Sequence, residues 1–391
     1  MIELSPGVEH LVNAIYPPAR QAIAAELAAT GRRLFFIENG VELLILWAIY
    51  ASGVALSIRT KLENALRRPL LVDVCVPALL ILAVTLVTLP LSYYGGFIVL
   101  HRYGLSVESN AQWFRDWAVE LGLAVLIGSA VSAGFLQIAR RFERTWPIVA
   151  ALLAAPVILF GTAIFPVFIA PLFNRYEALP ESPLTRSILR LANSHGINAQ
   201  AVYVYDASRQ TTTSNAFVSG LGPSTRIAIA DNLLKKMKPD EVLYVVAHEM
   251  GHYILRHLWL GSWYGWLGTL GLIAVISVVG GALVRRDRRL RGLGDPAALP
   301  LIALLAVGVN LVEQPALNAG SRAIEHAADA FAAANTQLGD AGVRAFARLG
   351  SDSLLSLHPQ PLVVWYFYTH PPLDERIDFA AHQAGIDRDR K

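Results

Sequence analysis

The sequence predicts a mainly α, multi-pass membrane protein: a bundle of membrane-spanning helices carrying a small α+β soluble domain that is split in two along the chain. Three observations lead there. Of 391 residues, 54% are hydrophobic and only 16% charged, against roughly 25% charged in soluble globular chains. Burying that apolar excess in a soluble core would leave too little polar surface, and the mean hydropathy is positive at +0.44. The chain also holds runs of about 20 apolar residues, the length that crosses a bilayer. The polar sequence between them, finally, falls into two separate blocks. The partner these features call for is a lipid bilayer. The net charge of +3 is small and forms no basic patch of the density nucleic acid requires, so no nucleic-acid partner is expected. The single cysteine, Cys75, excludes an internal disulfide framework and a Cys-rich metal site. A metal would be held by His and carboxylates.

In chain order, residues 1–33 read as an amphipathic leader. Glu3, Glu9 and Glu26 interrupt it, and no short apolar core precedes a small-residue cleavage site, so it is not a cleavable signal peptide. Residues 34–173 hold four expected spans: Leu34 to Ile58, Leu70 to Tyr93, Trp117 to Ala139 and Pro147 to Phe173. Residues 174–259 form the first polar block. Residues 260–319 add two spans, Leu260 to Val284 and Ala297 to Ala319, and residues 320–391 form the second block, ending in the charged run Asp387 to Lys391, expected to be disordered. Glu38, Glu42, Asp73, Glu120 and Glu313 lie within spans, where carboxylates sit at helix ends near headgroups or face a hydrated interior. Arginines collect in alternate loops, at 59–68, 140–144 and 285–291. By the positive-inside rule those loops are cytoplasmic and both polar blocks external.

The first block opens with a helical pattern at Ser187 to Ser194, followed by short strands at Ala201 to Tyr205 and Arg226 to Ala230. Between the strands runs Ser214-Asn215-Ala216-Phe217-Val218. Pro239 and Asp240 supply helix-start chemistry for Glu241 to His257. On that helix lies His248-Glu249-Met250-Gly251-His252, the H-E-x-x-H pattern. Residues four apart share a face, so both imidazoles can reach one cation. Neutral imidazole suits zinc, and one Zn²⁺ per chain is expected. Glu249, ~100° round the helix from His248, can address a water at the metal without becoming a ligand. It is the candidate general base.

A hydrolytic zinc site needs a third protein ligand. The positions after the motif where a third His would stand hold Leu255 and Leu258, so the ligand must come from farther along. Ser321-Arg322-Ala323-Ile324-Glu325-His326-Ala327-Ala328-Asp329 offers the best candidate. Alone, an acidic pair four apart is a common solvated helix face. Beside H-E-x-x-H, Glu325 becomes the candidate third ligand, and Asp329 the acceptor for the outer nitrogen of a zinc-bound His. His326 and His257 read as surface, core or interface histidines.

At this point the chain resembles the type I CAAX prenyl proteases, integral-membrane gluzincin metallopeptidases. The resemblance rests on an ordered set of motifs. These are His101-Arg102-Tyr103-Gly104-Leu105 with Phe114 and Asp116, Ala170-Pro171-Leu172-Phe173-Asn174, Ser214-Asn215-Ala216-Phe217, His248-Glu249-Met250-Gly251-His252, Ser321-Arg322 with Glu325 and Asp329, and His370-Pro371-Pro372-Leu373-Asp374-Glu375-Arg376. It implies a helical barrel around a water-filled intramembrane chamber, capped by a zinc metallopeptidase domain of gluzincin type. It implies that Asn215 and Ala216 lie on an edge strand that pairs with substrate backbone, and that His370 and Arg376 stand near the reacting carbonyl, where they stabilise the oxyanion. The eukaryotic members carry a seventh span, for which residues 1–33 are too polar. The resemblance also implies a cytoplasmic zinc domain, against the arginine count, and the expected orientation follows the resemblance.

The expected activity is zinc-assisted hydrolysis of peptide bonds in a peptide or protein substrate, lipidated if the resemblance extends to substrate, in a bacterial inner membrane. Two alternatives stand beside it: a quality-control protease like the membrane heat-shock peptidases, and a non-enzymatic membrane chamber that binds lipids or peptides. The intact His248, Glu249, His252 and Glu325 set opposes the last, because a chain released from catalysis has no use for Glu249.

Overall fold

The computed structural model describes residues 2–164, 168–220 and 225–386. The named helices are α1 (Pro6–Ile15), α2 (Pro18–Ser52), α3 (Val54–Leu66), α4 (Pro69–Tyr93), α5 (Asn110–Arg141), α6 (Trp146–Ile164), α7 (Pro183–Ser194), α8 (Pro239–Ile254), α9 (His257–Val275), α10 (Leu299–Thr336), α11 (Gly339–Ser353), α12 (Pro361–Phe367) and α13 (Leu373–Ala384). Four strands, β1 (Tyr176–Ala178), β2 (Val202–Tyr205), β3 (Ala216–Ser219) and β4 (Arg226–Ala230), make one sheet in the order β1-β2-β4-β3.

Among the described residues five helical stretches are long and apolar enough to cross a membrane: Pro18–Ser52, Pro69–Arg102, Asn110–Arg141, His257–Arg286 and Pro296–Thr336. Their outward faces carry large apolar side chains such as Leu44, Leu126, Val278 and Val312, a surface that only lipid solvates without penalty. The chain is thus a multi-pass membrane protein. The fourth expected span meets α6, whose apolar part, Trp146–Thr162, is shorter than the others. Residues 165–167 of that span, and the expected charged tail at 387–391, lie outside the described residues.

Two expected boundaries differ from the structure. The leader does not end at Arg33: α2 runs unbroken from Pro18 over 35 residues, ~52 Å at 1.5 Å per residue, against a hydrocarbon core of about 30 Å. Its polar first turns therefore stand outside the bilayer as part of the same rod. Ahead of it, α1 buries Val8, Val12 and Tyr16 against Phe346, Leu373 and Ile377 of the soluble unit, and the Tyr16 hydroxyl donates to the Leu355 carbonyl at 2.9 Å. The sixth span likewise does not stop at Ala319. Helix α10 continues for 38 residues, through Pro315, into the soluble unit. Hydropathy marks where the bilayer ends, and a helix is under no obligation to end there.

The sheet forms because β-branched and aromatic residues alternate with small ones. β2 and β4 pair in parallel, Val202 opposite Ile227, and β3 pairs antiparallel to β4, Ala216 opposite Ile229. Ile188 of α7 and Val242, Val246 and Met250 of α8 cover one face of this sheet and share its core. β3 is left with one free edge.

Candidate metal centre

Helix α8 begins at Pro239, whose missing N–H costs nothing in the first turn; the Glu241 carboxylate accepts from the Lys238 N–H at 3.0 Å. Val242 and Val246 pack into the core under the sheet, and His248 and His252, one turn apart on another side of the helix, face Glu325 of α10. Gly251 decides how close the two helices come. A Cβ there would stand 3.1 Å from the Phe331 Cβ and 3.2 Å from the Ala328 Cα, so any larger residue would push α10 away and carry Glu325 with it.

The result is a convergence of three side chains. His248 Nε2 and His252 Nε2 lie 3.2 Å apart. Glu325 Oε2 lies 3.2 Å from the first, and Oε1 3.5 Å from the second. One donor atom from each of the three falls within 4.8 Å of the others. His248 Nδ1 sits 2.8 Å from Asp329 Oδ1, so Asp329 takes the Nδ1 proton and leaves the Nε2 lone pair facing the centre. Glu325 Oε2 is buried and has no well-aligned hydrogen bond among the described residues. Donor atoms of two imidazoles and a carboxylate thus converge on one point, an arrangement that a cation satisfies. The donor set, two nitrogens and one oxygen, suits zinc.

Around the three, Arg376 donates to Asp329 from Nε (2.9 Å) and Nη2 (2.7 Å), and its guanidinium carbon stands 4.2 Å above the Phe346 ring. With Nε and Nη2 engaged by Asp329, Arg376 braces the carboxylate that accepts from His248 Nδ1. His370 does reach the open side, exposed, with Nε2 3.3 Å from Glu325 Oε2. It is held there from α10: Asn318 donates to the Tyr366 carbonyl (2.6 Å) and Arg322 to those of Val364 and Tyr368 (3.1 and 2.7 Å). Glu249 is half-buried and makes no hydrogen bond or ion pair among the described residues; burial pushes its carboxyl up, against the pull of the two histidines. Asn215, exposed, precedes β3 with its own Oδ1 accepting from the Ala216 N–H at 2.9 Å. A cavity of about 630 Å³ opens beside two of the converging side chains. It is bounded by His252 and Glu325, by Val218 and Ser219 of β3, and by Leu258 and Trp259 where α9 enters the membrane.

One functional histidine escaped the sequence reading. His257 is buried, with Nδ1 3.0 Å from His252 Nδ1. If His252 presents its Nε2 lone pair to a metal, its Nδ1 carries the proton and His257 accepts it. Spacing contained the clue only after the fact: the helix breaks at Arg256, in the left-handed region at φ 57, and that break swings a residue five positions on back against the site. Replacing His257 by Ala is expected to weaken zinc binding by about tenfold or more without lowering the thermal melting point, and His257→Asn, which restores an acceptor, to recover part of the loss. A competition titration against a chromogenic chelator measures both, and wild-type affinity in the Ala variant would remove His257 from the centre.

Comparisons with known proteins agree with this arrangement. Residues 178–384 match the profile of peptidase family M48, and residues 12–175 match that of the CAAX prenyl protease N-terminal region, described as five membrane helices. The chain is 33% identical to the uncharacterized metalloprotease YhfN of Bacillus subtilis, over 93% of this chain and 86% of that one. It is 31% identical to the CAAX prenyl protease 1 homolog of Arabidopsis thaliana, over 74% and 68% respectively. The crystal structure of Ste24p from S. mikatae superposes with a TM-score of 0.72 at 27% identity, covering 93% of this chain and 85% of the other.

Proposed function

Because the chain belongs to peptidase family M48, a family of metallopeptidases, we propose that it is a membrane zinc endopeptidase of CAAX type, cutting near the C-terminus of peptides that carry a lipid. The observation that carries this reading is the cavity running from His252 and Glu325 to Leu258 and Trp259. It joins hydrolytic chemistry at one end to the membrane at the other, where a lipid tail would be at home.

In this reading His248, His252 and Glu325 hold the zinc, Asp329 and Arg376 fix His248, and His257 fixes His252. Bound there, zinc polarises the scissile carbonyl and makes water a better nucleophile near neutral pH. Glu249 receives the proton of the attacking water and delivers it to the departing amine. The free edge of β3, from Asn215 and Ala216 onward, pairs with substrate backbone and holds the scissile bond against the site. His370 donates to the carbonyl oxygen as negative charge grows on it, an interaction strongest in the transition state. Residues 174–259 and 320–391 act as one catalytic unit interrupted by two spans, with α1 as an outer part of it. The similarity to the Bacillus protein supports a bacterial cell membrane as the location.

The direct test is a farnesylated peptide ending in a CAAX sequence, offered to detergent-purified protein with and without chelator. Release of the last three residues, abolished by chelation and restored by zinc, is the expected result. Metal-dependent cleavage of unfolded casein with no cleavage of the peptide would replace this reading with quality control. Inactivity on both, with zinc bound, would leave a binding chamber.

A further inference from the structure

At the end of the bundle away from the metal, a cavity of about 800 Å³ opens among the ends of four membrane helices: the start of α4, the end of α5, the end of the stretch His257–Arg286, and the turn before α10. Its walls are rich in arginine, and the pairing is unequal. Arg140 is bound to the buried Asp73, Arg59 to the buried Asp295, and Arg291 to Glu63. Those three acids are thereby neutralised. Arg67, Arg68 and Arg285 also line the cavity, and among the described residues none of their side chains makes an ion pair or hydrogen bond. Glu143 is the one remaining acid in the wall, leaving an excess of two positive charges.

Two local features build this shape at some cost. Arg67 closes α3 at φ 51, a left-handed conformation where Gly or Asn is usual, and so brings two adjacent arginines to the mouth instead of continuing the helix. Gly294 lies against α5 so closely that a Cβ would stand 2.4 Å from the Arg140 Cγ and 3.2 Å from the Leu136 carbonyl oxygen. Only glycine lets that turn form the floor. Next to the mouth, Leu70, Phe142 and Ile148 expose apolar side chains. The cavity therefore sits at headgroup depth, with arginine within and hydrocarbon-facing surface beside it.

We propose that this cavity seats the phosphodiester headgroup of one anionic phospholipid, its oxygens taken by Arg67, Arg68 and Arg285 and its chains lying along Leu70 and Ile148. Guanidinium groups match phosphate oxygens two at a time. Free phosphate has the same headgroup chemistry, but it makes no use of the apolar flank, which is why the lipid is favoured.

The test is native mass spectrometry of the full-length protein, titrated with phosphatidylglycerol, phosphatidylcholine or inorganic phosphate. Wild-type protein is expected to retain one phosphatidylglycerol in preference to the other two. The variant Arg67→Gln/Arg68→Gln/Arg285→Gln is expected to bind it on the order of a hundredfold more weakly, at roughly fivefold per arginine near a membrane surface, while keeping its bound metal. Glu143→Gln is expected to bind it several-fold more tightly, a gain that misfolding cannot imitate. Equal retention of phosphatidylcholine, equal affinity for inorganic phosphate, or undiminished binding by the triple variant would each overturn the proposal. None of these residues is near the metal centre, so the peptidase reading stands or falls separately.

Discussion

Replacing Glu249 by Gln is expected to lower peptide turnover about a thousandfold while leaving metal content and melting temperature unchanged. Among the described residues the carboxylate makes no hydrogen bond or ion pair, so the isosteric amide is expected to remove no folding contact. It also sits beside the ligands without being one of the three that converge, so the metal keeps its holders. What the amide cannot do is accept a proton, and losing a positioned base costs on the order of 10²–10⁴ in rate. Single-turnover cleavage with zinc measured in the same sample checks this. An unimpaired variant would take Glu249 out of the mechanism, and a variant without zinc would make it a ligand.

Glu325→Ala is expected to act on the other half of the chemistry. With one of three ligands removed, zinc affinity should fall by about a thousandfold, roughly a third of the 10–16 kcal/mol by which closed zinc sites hold their ion, and activity should fall with it at ordinary metal concentrations. In the metal-free protein Glu325 contacts the imidazoles of His248, His252 and His370 at 3.2, 3.5 and 3.3 Å, so its loss should change the metal-free melting point far less than it changes zinc affinity. Zinc analysis after dialysis, paired with calorimetry of the metal-free forms, separates the two effects. Full occupancy after dialysis would mean that another side chain completes the site.

How much of this was written legibly in the sequence differs from residue to residue. His248, Glu249 and His252 could be read directly, because their relation is local and a helix has one geometry. Glu325 and Asp329 could be paired with each other by spacing. Their attachment to the histidines depends on two helices closing over Gly251, which no local pattern encodes; it was inferred from the need for a third ligand beside H-E-x-x-H. For Arg376 nothing in the sequence pointed to its two hydrogen bonds to Asp329, because the direction a guanidinium faces depends on which carboxylate the fold brings to it. His257 was missed because its position follows from a helix break at Arg256, a non-glycine residue in a left-handed conformation that nothing in its type announces. The apolar spans were plain from hydropathy, but the ends of α2 and α10 were not, since both helices cross the bilayer boundary on their own hydrogen bonds.

The same distribution of the site along the chain has a consequence for the order of events during synthesis. The two histidines emerge first, then two further membrane helices must be inserted before Glu325 and Asp329 appear on α10, and Arg376 follows on α13. Helix α1 waits longer still, since its partners Phe346, Leu373 and Ile377 lie beyond α10 in the chain. A nascent chain stalled or cut short anywhere before α10 would lack the third ligand altogether. On the proposed ligand set, the metal centre is thus incomplete until α10 has been made and has closed against α8.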